Sequence, residues 1–223
     1  MVCCTKPKDK HEESGMYFCP LFNSNHINTF YIEKDDLYKK LGDGIKVVEF
    51  VSFKGNKLLF IEAKSSIPKK TKIKEPTKMY EEPEPYNEVA LDEYFESWTQ
   101  DELKQYTKWK IKQEKLETFF QELYDKMSHT LNLLAAKELE LEKHTKYSLP
   151  DELEGLIYKE KIFFVLIVNE VLDKKDSEYN EKVALYAGME AKLNRKFLPL
   201  KGIWEIKIVI YHKTQAKKKG FIA

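Results

Sequence analysis

Two apolar runs rich in β-branched and aromatic residues, 46–53 and 57–64, flank the dipeptide Gly55-Asn56. A two-residue connection of this kind needs positive φ, which Gly and Asn adopt at little cost, so it predicts a tight β-hairpin. The turn fixes the pairing outward from itself. Lys54 pairs with Lys57, Phe53 faces Leu58, Val51 faces Phe60, and Glu49 faces Glu62. Both runs are apolar on both faces near the turn, which places them inside a covered sheet.

The rest of the 223 residues can be read around this hairpin. Residues 1–14 are polar and Lys-rich, with no periodic apolar face, and predict a flexible N-terminal segment. Residues 27–32 favour a strand by composition, and 35–40 one helical turn stopped at Gly42. Residues 66–88, with Lys69 to Lys78, then Glu81 to Glu88, punctuated by Pro68, Pro76, Pro83 and Pro85, predict an exposed charged loop. No Pro or Gly lies between Pro85 and Pro150, and the pattern over 89–146 is helical. Thr99 with Glu102 forms a capping box, with Trp98 and Leu103 as its hydrophobic staple, so a long helix starts at Gln100. Its core face carries Phe120, Leu123, Met127, Leu131 and Leu134. Residues 162–168 predict a buried strand, 181–197 an amphipathic helix and 203–211 a last strand, with Lys217-Lys218-Lys219 in a basic tail. The order is that of an α/β fold with a central mixed β-sheet and flanking helices, one domain over 15–223.

Composition narrows the function. Lys+Arg number 38 against Asp+Glu 37, so no global field marks a polyanion partner. The longest uncharged apolar run, residues 162–168, is too short to cross a bilayer, which argues against a membrane partner. Three cysteines, Cys3, Cys4 and Cys19, form neither a disulfide framework nor a zinc set. A soluble cytoplasmic protein is the expectation.

The predicted register carries the chemistry. Carboxylates directly opposite each other on paired strands have Cβ atoms about 5 Å apart, and at an effective dielectric near 20 they repel by about 3 kcal/mol. Glu49 and Glu62 are such a pair, and their neighbours are apolar. Lys64, two residues beyond Glu62, points to the same face. A hard divalent cation turns the repulsion into ligation and supplies an activated water, with Lys64 stabilising charge on a transferring phosphoryl group. The same three groups also suit a purely structural ion-pair network. Glu-x-Lys recurs at Glu102, Glu190 and Glu205, but only Glu62-Ala63-Lys64 has an opposed acid.

Val47-Val48-Glu49-Phe50-Val51 followed by Leu58-Leu59-Phe60-Ile61-Glu62-Ala63-Lys64 resembles the metal-site hairpin of the PD-(D/E)xK, restriction-endonuclease-like nuclease superfamily. The resemblance covers about twenty residues. It implies a restriction-endonuclease-like α/β core, a Mg²⁺ or Mn²⁺ cofactor, and cleavage of DNA or RNA phosphodiesters, in defence or repair. Glu49 and Glu62 match the two acidic ligands, the Ala63 carbonyl a further donor to the metal, and Lys64 the catalytic lysine. Glu49 stands where Asp is commoner in that superfamily, and no Pro precedes it.

Candidate contacts to nucleic acid are Lys69, Lys70, Lys72 and Lys74, on the loop that leaves the site strand. A helical stripe of Lys104, Lys108, Lys112 and Lys115, with Tyr106 and Trp109 nearby, reads more simply as a solvated face. Asp35, Asp36 and Asp43 suit helix capping or turn formation as well as they suit a third carboxylate at the metal site, and they are left out of the candidate set. The alternative function is a catalytically inactive module of the same fold that binds nucleic acid or a protein. A homodimer or a partner protein held by the long helix stays open.

Overall fold

The structure, a computed structural model, describes residues 11–18, 28–30, 32, 44–53, 56–68, 95–138, 155–173 and 175–222. The predicted helical turn at 35–40, Asp35, Asp36, Asp43, Gly55, Cys3, Cys4 and Cys19 lie outside them. The chain divides into two compact units, residues 1–67 with 122–223, and residues 68–121.

The larger unit is α/β. Its strands are β1 (His11–Glu13), β2 (Met16–Phe18), β3 (Asn28–Phe30), β4 (Phe50–Phe53), β5 (Lys57–Lys64), β6 (Lys161–Val168) and β7 (Ile206–His212). Its helices are the C-terminal part of α1 (Gln100–Glu138), then α2 (Leu156–Lys159), α3 (Tyr179–Lys196), α4 (Leu198–Lys201) and α5 (Lys213–Lys218). Among the described residues, five strands form one mixed sheet in the order β3-β4-β5-β6-β7. The first three run as an antiparallel meander, and β6 and β7 join parallel to β5. The hairpin expected at Gly55-Asn56 therefore supplies the central strand.

Its register is the one the turn dictates: Phe53 opposite Leu58, Val51 opposite Phe60, and Phe50 opposite Ile61. The predicted first strand over 46–53 is shorter, however, because the ladder ends at Phe50. Upstream, backbone donors find side chains instead of a strand. Val48 N–H donates to Thr130 Oγ1 at 3.0 Å, and Lys46 N–H donates to His129 Nδ1 at 3.0 Å. Polar backbone must be paired wherever it is buried, as at Val48, and here α1 does the pairing.

Period-2 alternation sends the two faces of β5 into different layers. Leu59, Ile61 and Ala63 join Met16, Phe18, Phe50, Val165, Ile167, Ala216 and Ile222 in one core cluster. On the opposite face Phe164 packs edge-on against Phe197, which in turn meets Tyr124 of α1. Leu123, Met127, Leu131 and Leu134 are buried, as their spacing requires.

Three local differences from the sequence reading have physical causes. Residues 11–14 are not a loose extension: β1 pairs with β2 across Ser14-Gly15, where both φ values are positive (52° and 71°), as a primed hairpin turn needs. The basic residues at 217–218 belong to α5, which is anchored by the buried Ala216, and Ile222 then bridges to Phe18. Between the helix and the last strand the chain adds the short helix α4, with Pro199 in its first turn, where proline is well suited.

In the smaller unit the capping box forms as expected. Thr99 N–H donates to Glu102 Oε2 at 2.8 Å, and Glu102 N–H donates to Thr99 Oγ1 at 3.3 Å. Trp98 is buried, in edge contact with Phe95 and Tyr106. Among the described residues no helix is long and apolar enough to cross a membrane.

Burial sets the expected cost of truncation. Leu123→Ala, at a fully buried position, should lower stability by about 2–5 kcal/mol in denaturant unfolding. Ile111→Ala, 45% exposed on the same helix, should stay within about 0.5 kcal/mol.

Candidate active site

The candidate site lies where β4 leaves its ladder and β5 runs to its carboxyl end. Because pairing stops at Phe50 and Ile61, the next backbone groups of β5 face no strand partner on that side. Ala63 N–H donates instead to Glu49 Oε2, in a short hydrogen bond, and Ala63 O accepts from Ser14 Oγ at 3.1 Å. Asn169 Nδ2 secures the same turn by donating to Ser14 O at 3.1 Å. The bend at Glu49 thus lets its carboxylate substitute for a missing main-chain partner.

The same register brings Glu49 and Glu62 together, and both are buried, at 3% and 0% exposure. Two ammonium groups meet them. Lys126 Nζ lies 2.8 Å from Glu62 Oε1 and 3.8 Å from Glu49 Oε1. Lys64 Nζ lies 3.0 Å from Glu62 Oε1 and 2.6 Å from Glu122 Oε1. With Glu49 ionised, neither oxygen of Glu62 has an aligned hydrogen-bond donor, so its ion pairs are Coulombic contacts without that reinforcement. The Lys64 and Glu122 side chains, 20% and 33% exposed, form the solvent side of the cluster.

Electrostatics follow from this packing. Burial, and next the charge of Glu62, hold the Glu49 carboxyl well above its usual range, against the pull of Lys126 and the Ala63 N–H. Burial works to lower the Lys64 ammonium, but the charge of Glu62 close by and the hydrogen bond to Glu122 hold it above its ordinary value. Burial likewise works to raise Glu122, and its hydrogen bond and charge contact with Lys64 outweigh that and lower it. Two buried carboxyls and two ammonium groups therefore meet here, with Glu122 reached through Lys64.

Glu49, Glu62, Ala63 and Lys64 come together at the strand end, with Glu49 one residue beyond the paired ladder rather than paired with Glu62 within it. The oxygens able to serve a cation are those of Glu49 and Glu62, together with the second lone pair of the Ala63 carbonyl. Among the described residues no set of three or more His, Cys, Asp and Glu side chains gathers as a ready metal cluster. Lys69, Lys70, Lys72 and Lys74 lie outside the described residues. Lys104, Lys108, Lys112 and Lys115 are exposed on α1, while Tyr106 and Trp109 stack on one another at 6.2 Å.

Two members of the cluster escaped the sequence reading. Glu122 and Lys126 stand one turn apart on α1, in a row with Thr130, beside the apolar row of Leu123, Met127 and Leu131. The signal was a Lys set one residue before Met127 on a core-facing stripe, where a solvated lysine has no room. Comparison with family models, curated proteins and solved structures returns no match for this chain.

The raised Glu49 carboxyl has a definite linkage sign. Between its ordinary and its raised value the native state holds a proton that the unfolded chain has lost. Stability should therefore fall as pH rises through that window. The groups facing Glu49 are Glu62 on β5 and Lys126 on α1, with Lys64 and Glu122 behind them. Urea unfolding between about pH 4 and 8 should show this downward slope. Glu49→Gln should flatten it and make the protein more stable at neutral pH.

Proposed function

We propose that this chain is a metal-dependent nuclease-like protein that hydrolyses phosphodiester bonds of DNA or RNA with Mg²⁺ or Mn²⁺. The observation that carries the reading is the meeting of acids from adjacent strands, Glu49 and Glu62, with Lys64 two residues further on at the carboxyl end of a central strand. Open α/β sheets place ligands beyond the carboxyl ends of their strands, and this cluster has that position. An antiparallel meander followed by a helix and a parallel strand agrees with the α/β core the sequence resemblance implies.

The donor chemistry fits a hard divalent ion. Two carboxylates are forced together, and Glu62 Oε2 is buried without an aligned hydrogen-bond donor. Bound there, such an ion supplies charge neutralisation and a water of lowered pKa. The chain's own residues do the rest. Glu49 and Glu62 bind and orient, and the Ala63 N–H fixes the rotamer of Glu49. Lys64, steered by Glu122, directs its ammonium toward the partly exposed side, where charge builds on the phosphoryl oxygens.

A second reading rests on the complete burial of Glu62: the two lysines neutralise the acids permanently, and the fold binds nucleic acid or a protein without cutting. A cleavage assay separates the two. Purified protein with Mg²⁺ or Mn²⁺ should cut members of a DNA and RNA panel. Glu62→Gln and Lys64→Ala should each reduce the rate by about 10²-fold or more, the scale set by losing one preorganised electrostatic group, while circular dichroism stays unchanged. Binding without cleavage under both metals would establish the second reading.

A further inference from the structure

We propose that Lys126 is a displaceable internal cation: its ammonium holds the place between Glu49 and Glu62 that a divalent ion takes, and gives it up toward Glu122. This inference rests on the metal-dependent reading above and adds a residue that the resemblance does not supply. Of the two ammonium groups, only Lys126 lies within 4 Å of both acids, at 2.8 Å from Glu62 Oε1 and 3.8 Å from Glu49 Oε1. Lys64 reaches Glu62 and Glu122 instead. A cation bridging the two strand carboxylates therefore coincides with Lys126 Nζ and leaves Lys64 in place.

The exchange is physically balanced. In the metal-free protein Lys126 is the ammonium shared by both acids, while Lys64 meets Glu62 alone, and a buried acid pair of this kind needs such a cation between its members. A doubly charged ion interacts more strongly with the same oxygens, and it repels the ammonium it replaces. The released side chain has somewhere to go. Glu122 stands four residues earlier on α1, the spacing at which Glu and Lys pair along a helix surface, and it is already partly exposed. The long apolar stem of lysine stays buried while the head group moves outward. The swap needs a rotamer change only, because Lys126 and Glu122 share one rigid helix.

Calorimetric titration of the full chain with Mn²⁺ tests this with a readout independent of cleavage. Lys126→Met should tighten Mn²⁺ binding by roughly tenfold or more, since the resident charge no longer competes. Equal affinity in wild type and Lys126→Met would overturn the inference and leave the nuclease reading standing. Absence of Mn²⁺ binding in both folded proteins would overturn both. Should Lys126→Met fail to fold, wild-type protein decides. Amine acetylation read by mass spectrometry should label Lys126 several-fold faster in saturating Mn²⁺, and Glu62→Gln should abolish that gain. Labelling of wild-type Lys126 unchanged by Mn²⁺ would overturn the displacement.

Discussion

Everything at the carboxyl end of β5 follows from one electrostatic conflict, the enforced approach of Glu49 and Glu62. Strand pairing alone would set the two acids opposite each other and leave them there. The fold answers by breaking the ladder one residue early, turning one carboxylate onto the Ala63 N–H, and sending two lysines into the gap. Each response has its own structural cost. The early break strands the backbone of residues 46–48, which α1 must then satisfy through His129 and Thr130. Helix, hairpin and site are consequently one mechanical object within the larger unit.

That coupling explains why α1 carries a polar row beside its apolar one. Leu123, Met127 and Leu131 serve the core, while Glu122, Lys126 and Thr130 serve the strand end. A helix that only covered a sheet would have no use for a buried lysine. The burial of Lys126 is intelligible only through the acids it meets.

The sequence made the hairpin legible because both of its rules are local and periodic. A Gly-Asn turn and a period of two determine the pairing of Phe53, Val51 and their partners with no knowledge of the rest. The capping box at Thr99 and Glu102 was legible for the same reason. What remained hidden depends on contacts across long stretches of chain. The backbone donor at Val48, upstream of the shortened β4, is taken up by a side chain more than eighty residues away. The roles of Glu122 and Lys126 need the docking of α1, and β1 needs its pairing with β2, which the polar character of residues 11–14 masked. Ser14 closing the Ala63 carbonyl had no signal beyond the Ser-Gly dipeptide itself.

The parallel pairing of β5 with β6 bears on how the protein is made. About a hundred residues separate the end of the first strand from the start of the second. During synthesis at about 5–20 residues per second, the nascent β5 waits on the order of 5–20 s before its partner leaves the ribosome. Throughout that interval Leu58, Phe60 and Ile61 border an open hydrogen-bonding edge, the kind of template on which neighbouring chains assemble. Glu62, near the carboxyl end of that edge, is a charge of the kind that discourages such association while the strand stands unpaired.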